Sequence, residues 1–299
     1  MPRNRSLSRW MPVGFLVVGS LSLAACGSSS KKTTSSAPAS SGQPNVLALS
    51  ISETGQTAKY TAPTSVAGGL VNLQLTNKGQ APHAAQLIRI DAPHTLAQAE
   101  QALGSNSPKT PAWIHFAGGV GRTPPGPPAS AFVNLSPGQY IVADFGPGPG
   151  QPAIAQLKVT PGQTGTLPAT ATTVTAANPS KDHYKWQISG PLKVGTQLVT
   201  FDSKGTKALH LMAGALVTGN PSTATIIASL KRSSGKGSPP PFVDRSTIFG
   251  GASLDGGGTE VTPLVLSKPG TYVLFCPLTD RNGGKPHFEE GLLTKVTVK

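Results

Sequence analysis

Residues 60–79 read YTAPTSVAGGLVNLQLTNKG and residues 186–205 read WQISGPLKVGTQLVTFDSKG, and the two segments align without a gap. Polar and apolar side chains alternate in both, most clearly in Leu70-Val71-Asn72-Leu73-Gln74-Leu75 and over residues 196–201. A period of two puts one set of side chains on one face of an extended chain, so each segment predicts a half-buried strand. A second block repeats too. Gly118-Gly119 matches Gly250-Gly251, and Leu135-Ser136-Pro137-Gly138-Gln139-Tyr140 matches Leu266-Ser267-Lys268-Pro269-Gly270-Thr271-Tyr272 with one extra residue. Duplication of one β-rich unit is the simplest account.

Working outward, the repeats predict a first domain over residues 45–160, a Pro, Gly and Thr-rich hinge over 161–172 and a second domain over 173–299. The strands after Tyr140 and Tyr272 are apolar at nearly every position, as inner strands covered on both faces are. Each copy has one helical interlude. Thr95 with Gln98 forms a capping-box signature and Gly104 a stop, and residues 222–232 are the counterpart. With 35 Gly, 29 Pro and 12% charged residues, the chain reads as all-β: two tandem Greek-key β-sandwich domains, each with one short helix.

The first 25 residues read as an export signal. Arg3, Arg5 and Arg9 make a positive leader, an apolar stretch follows from Met11 to Ala25, and Leu23-Ala24-Ala25-Cys26 closes it with small residues before a cysteine. That ending resembles the lipobox of bacterial lipoproteins, which implies a diacylglycerol on Cys26 and a place on the extracytoplasmic face of the cell membrane. Ordinary cleavage after an Ala-x-Ala-like site and an uncleaved anchor are the alternatives. Residues 26–44 carry almost nothing to bury and read as a solvated tether.

The formal net charge is +13, but the basic residues are scattered. Lys31 and Lys32 lie near the expected anchor, and Lys231, Arg232 and Lys236 form the other local group, without interleaved aromatics. Nucleic acid is therefore not an expected partner, and an anionic envelope surface or an acidic protein fits better. Only two cysteines exist, Cys26 and Cys276. With Cys26 lipidated, Cys276 has no intramolecular partner, and a lone thiol in an oxidising compartment must be buried or bound.

Pro269-Gly270-Thr271-Tyr272-Val273-Leu274-Phe275-Cys276 is followed by His287, then Gly291 and Leu292, then a closing strand. This resembles the ligand loop of the cupredoxins, the blue-copper fold, and His210 stands where that family's first histidine ligand does. The resemblance covers most of the second half. It implies His210 and His287 as nitrogen ligands and Cys276 as thiolate of a copper site serving electron transfer or copper handling, with a redox protein as partner.

Two departures from the family pattern stand out. Ten residues, 277–286, separate the cysteine from the second histidine where the family has only a few. Asn282-Gly283 sits midway and predicts a tight turn that places Leu278 opposite His287, returning His287 to the neighbourhood of Cys276. Leu292 replaces the family's axial methionine and cannot coordinate; Met212, two residues beyond His210, is either a substitute ligand or core packing. In the first half His83 is kept, but Asp144 holds the cysteine position and Ala153 that of the second histidine, so no blue-copper site is expected there.

His94, His115 and His183 lack a cysteine or carboxylate at ligand spacing and read as surface or packing residues. No His-x-His or His-Cys-His string, GxSxG, HExxH or phosphate-binding loop occurs, so catalysis is not expected. The alternative to a copper protein is a metal-free envelope module on the same scaffold, presenting loops such as 118–128 and 238–244.

Overall fold

A computed structural model describes residues 42–55, 57–105, 107, 109–145, 152–180, 183–206, 208–233 and 239–299. The expected signal segment, Cys26 and most of the tether lie outside the described residues. Among the described residues no helix is long and apolar enough to cross a membrane.

The first half contains β1 (Asn45–Thr54), β2 (Thr57–Thr61), β3 (Ser65–Ala67), β4 (Gly69–Asn77), β5 (His83–Ile90), α1 (Leu96–Gly104), β6 (Ile114–Thr123), β7 (Ala129–Leu135), β8 (Gly138–Asp144) and β9 (Ala153–Thr160). The second contains β10 (Thr173–Ser180), β11 (His183–Ser189), β12 (Gly195–Ser203), β13 (Leu209–His210), β14 (Ala213–Leu216), α2 (Thr223–Ser233), β15 (Phe249–Gly250), β16 (Leu254–Asp255), β17 (Thr259–Leu266), β18 (Gly270–Phe275) and β19 (Leu293–Val298). The all-β class with one helix per half is as expected. Thr95 caps α1 through the full capping box, its hydroxyl accepting from the Gln98 amide while Gln98 reaches back to the Thr95 amide.

Two sheets face each other in each half, with a separate apolar cluster between them. The apolar strands are covered on both faces. Tyr140 and Val142 of β8 point into the first core, while Ile141 and Ala143 pack with Ala99 of α1. In β18 Tyr272 and Leu274 enter the second core, while Val273 packs against Ile226 of α2. The repeated tyrosine has one role in both copies. The Tyr140 hydroxyl donates to the Ser136 carbonyl at 2.9 Å and that of Tyr272 to the Lys268 carbonyl at 3.0 Å, each closing the corner that leads into its strand.

The described residues form one compact unit, and the two halves share sheets. Strand β17 meets β7 at Val261 and Phe132, merging four strands of each half into one eight-stranded sheet. Strand β16 joins β6 at Leu254 and Ala117, which carries β13 and β16 into the first half's other sheet. The seam is a backbone contact: a Cβ on Gly121 would lie 2.2 Å from the Gly250 carbonyl, so only glycine fits. Residues 161–172, the expected hinge, have no regular structure and are hydrogen-bonded to the first half. Leu70 donates to the Gln163 carbonyl at 3.1 Å, and Asn134 exchanges two hydrogen bonds with Gly165.

Glu260 of β17 is fully buried at this seam. Its Oε2 accepts from the Gly119 amide at 2.8 Å, while Oε1 has no partner among the described residues. Burial pushes the carboxyl up to about 8, with the Gly119 hydrogen bond opposing.

Candidate metal centre

Three segments deliver the expected ligands to one point. His210 ends β13, Cys276 follows β18, and His287 lies on the return toward β19. The return is fixed by backbone hydrogen bonds: His287 to the Leu278 carbonyl at 2.8 Å, Phe288 to the Cys276 carbonyl at 3.0 Å, and Cys276 to the Leu292 carbonyl at 3.0 Å. Leu278 thus stands opposite His287 as the Asn282-Gly283 turn predicts, with Gly283 donating to the Asp280 carbonyl at 2.8 Å. Gly291, with φ of 115°, is required here, because a Cβ would lie 1.9 Å from the Tyr184 carbonyl.

All three side chains are fully buried. His210 Nδ1 lies 3.1 Å from His287 Nδ1, Cys276 Sγ lies 3.6 Å from His287 Nδ1, and one ligand atom from each residue falls within 4.8 Å of the others. The outer ring nitrogens are already engaged. His210 Nε2 donates to the Lys204 carbonyl at 3.3 Å, and His287 Nε2 faces Asp280 Oδ1 at 3.2 Å. A carbonyl and a carboxylate can only accept, so each Nε2 carries the proton and each neutral ring turns a bare Nδ1 lone pair inward.

Burial holds both rings in that neutral form. Desolvation, with repulsion from His287 second, lowers His210 to about 3, and desolvation also lowers His287, opposed by Asp280. The same burial pushes the Cys276 thiol up to about 12, so the protein alone does not form the thiolate. Two lone pairs 3.1 Å apart beside a thiol repel unless a cation lies between them. With two imidazoles, one sulfur and no carboxylate, the donor set fits a soft or borderline metal.

Leu292 and Met212 are buried in the same apolar cluster as Cys276. Met212 also lines a 440 Å³ cleft with Phe249, Gly251 and Pro263. The single thiol among the described residues, Cys276, is buried, as its lone status requires.

The corresponding point in the first half holds an ion cluster. His83 Nδ1 lies 2.5 Å from Asp144 Oδ2 and Nε2 lies 2.8 Å from Glu53 Oε1, so each ring nitrogen faces a carboxylate oxygen. Asp144 pairs across the sheet with Ala153, which offers no ligand. His83→Ala removes the ring that two carboxylates share, one of them buried. It should cost about 3 kcal/mol in urea denaturation, and an unchanged midpoint would show that the cluster contributes nothing.

His94 stacks on Trp113 at 4.1 Å between ring centres, and His183 is exposed, in line with packing and surface roles. His115 departs from its expected isolation. Its Nε2 lies 2.7 Å from Asp91 and its Nδ1 3.4 Å from Asp255, carboxylates remote in sequence and adjacent only in space. Sequence reasoning also missed Asp280, Arg281, Tyr184, Glu53 and Glu260. Asp280-Arg281 lies in the insertion between two expected ligands, where a charged pair was the available signal; the others carry none.

No family profile matches the chain, and no curated protein matches it. Among solved structures, auracyanin B is similar at 22% identity and TM-score 0.28, over 42% of this chain and 86% of that one. Reduced auracyanin from Roseiflexus castenholzii gives 26% identity and TM-score 0.29, over 44% and 99%. A multicopper oxidase gives 12% identity and TM-score 0.22, over 85% and 88%. At such TM-scores these superpositions decide nothing by themselves. The β-sandwich is shown by its paired sheets, and the loop that joins β18 to the closing strand β19 carries Cys276 and His287.

Proposed function

We propose that this chain is a lipid-anchored, extracytoplasmic copper protein that carries single electrons or holds copper at the cell surface, with His210, Cys276 and His287 as ligands. The observation that carries the reading is the convergence of two Nδ1 lone pairs and one sulfur in a site without solvent, their outer hydrogen bonds already satisfied. Copper held there by the two histidine nitrogens and the cysteine sulfur would supply one-electron chemistry. The residues do the rest. Asp280 and the Lys204 carbonyl orient the imidazoles, Leu292 and the second core exclude water, and Cys276 gives up its proton on binding.

Cys26 supplies the membrane attachment in this reading, and residues 26–44 the reach toward a redox protein or an anionic envelope surface. We assign no catalytic reaction to this site. Titration of the full chain in detergent with copper(II) should give an intense visible band that saturates at one ion per chain, and His210→Ala should abolish it. Saturation without a visible band would point to adventitious surface binding and against the proposal.

A further inference from the structure

The ten-residue insertion between Cys276 and His287 is tied down at Leu278, Asp280 and Arg281. Leu278 packs with Ile88, Ile90, Ile114 and Phe116 of the first half, in the cluster that also takes Leu209, the neighbour of His210. Asp280 Oδ1 accepts from the Tyr184 hydroxyl at 2.8 Å and faces His287 Nε2. Arg281, next to it, is only 14% exposed and makes the densest set of contacts in the loop. Its Nη1 donates to the Pro111 carbonyl at 3.2 Å and the Ile114 carbonyl at 2.7 Å, its Nη2 meets both oxygens of Asp255 at 2.5 Å, and its own carbonyl accepts from Thr110 at 2.8 Å.

Asp255 is the detail that gives this clamp a meaning. It lies on β16 directly opposite Leu209 of β13, the two-residue strand that ends in His210. One guanidinium therefore joins the loop that carries His287, the strand paired with that of His210, and segment 110–114 of the first half. We infer that Arg281 is a positioning residue for the metal centre, setting the separation of the two imidazoles, and that the first half is the brace against which it does so. This rests on the copper reading above and assigns the half without a copper site a task in the other half's site. The planar fork of arginine reaches carbonyl and carboxylate acceptors together, whereas a lysine ammonium on its flexible stem does not hold that geometry.

Arg281→Lys and Asp255→Asn, made in the full chain, test this. Both keep side-chain size near that of the original, and the first keeps the charge. Each should shift the position of the visible copper(II) band and speed copper loss to a chelator about 10-fold, the low end of what disturbing the groups that orient a metal's ligands costs. A purely structural role would lower the melting temperature and leave the band in place. In the metal-free protein, amide exchange at His287 and Phe288 should quicken in both variants. Unchanged band position and release rate in both would overturn the inference. If the parent protein gives no band, the copper reading fails, and the exchange rates still report whether Arg281 holds the loop.

Discussion

Cys276→Ser should abolish the visible copper(II) band and weaken copper binding by well over about 100-fold, since loss of a ligand costs more than the roughly 10- to 100-fold of an outer partner. The thiolate is the soft, polarisable donor among the three ligands, and the band depends on charge transfer from it. A serine hydroxyl is hard and keeps its proton. The fold should survive, because serine is close in size and Cys276 contributes to the core mainly as a small side chain. The measurements are the visible spectrum and a competition titration against a chelator. Loss of the band together with loss of the far-ultraviolet signature of the sheets would mean the variant had unfolded, and Cys276→Ala then separates the two effects. A variant that keeps the band and the affinity would remove Cys276 from the site.

Glu260→Gln should make the protein more stable at neutral and alkaline pH, by roughly 3 kcal/mol at pH 7. The folded carboxyl is raised to about 8 by burial, against an ordinary value of 4.5. Below the ordinary value both states hold the proton and the group is neutral to stability. Between the two values the unfolded chain releases the proton and the folded chain keeps it, so stability falls as pH rises, by about 1.4 kcal/mol per pH unit. Above the folded value the loss levels off. Glutamine keeps an oxygen for the Gly119 amide and has no proton to lose. Urea denaturation at pH 5 and pH 8 should show the parent losing several kcal/mol more than the variant. Parallel pH dependence of the two would mean the carboxyl is solvated or paired.

Local features of the fold were legible because local rules set them. Alternation gave the strand at Leu70–Leu75, the Thr95 and Gln98 pair gave the start of α1, and the repeated Pro-Gly and Tyr gave two identical corners. The Asn282-Gly283 turn was enough to place Leu278 against His287, so the three candidate ligands could be named before their meeting was seen.

What stayed hidden is set by pairing across long separations. Glu53 lies 30 residues from His83, and Arg281 lies 170 residues from Pro111. No periodicity reports such contacts. Composition marks residues 161–172 as a linker but does not report the carbonyls and amides that Gln163 and Gly165 offer to the first half. The apolar runs in β8 and β18 signalled cover on both faces, but not that β8 is covered partly by Leu209 and Leu278 of the other half.

X-ray absorption at the copper edge of the copper-loaded full chain tests the central claim most directly. The account predicts a first shell of one sulfur at about 2.3 Å and two nitrogens at about 2.0 Å, with no oxygen shell, spacings like those of similar ligands in known sites. A first shell of oxygen and nitrogen alone would contradict it, placing the metal away from Cys276.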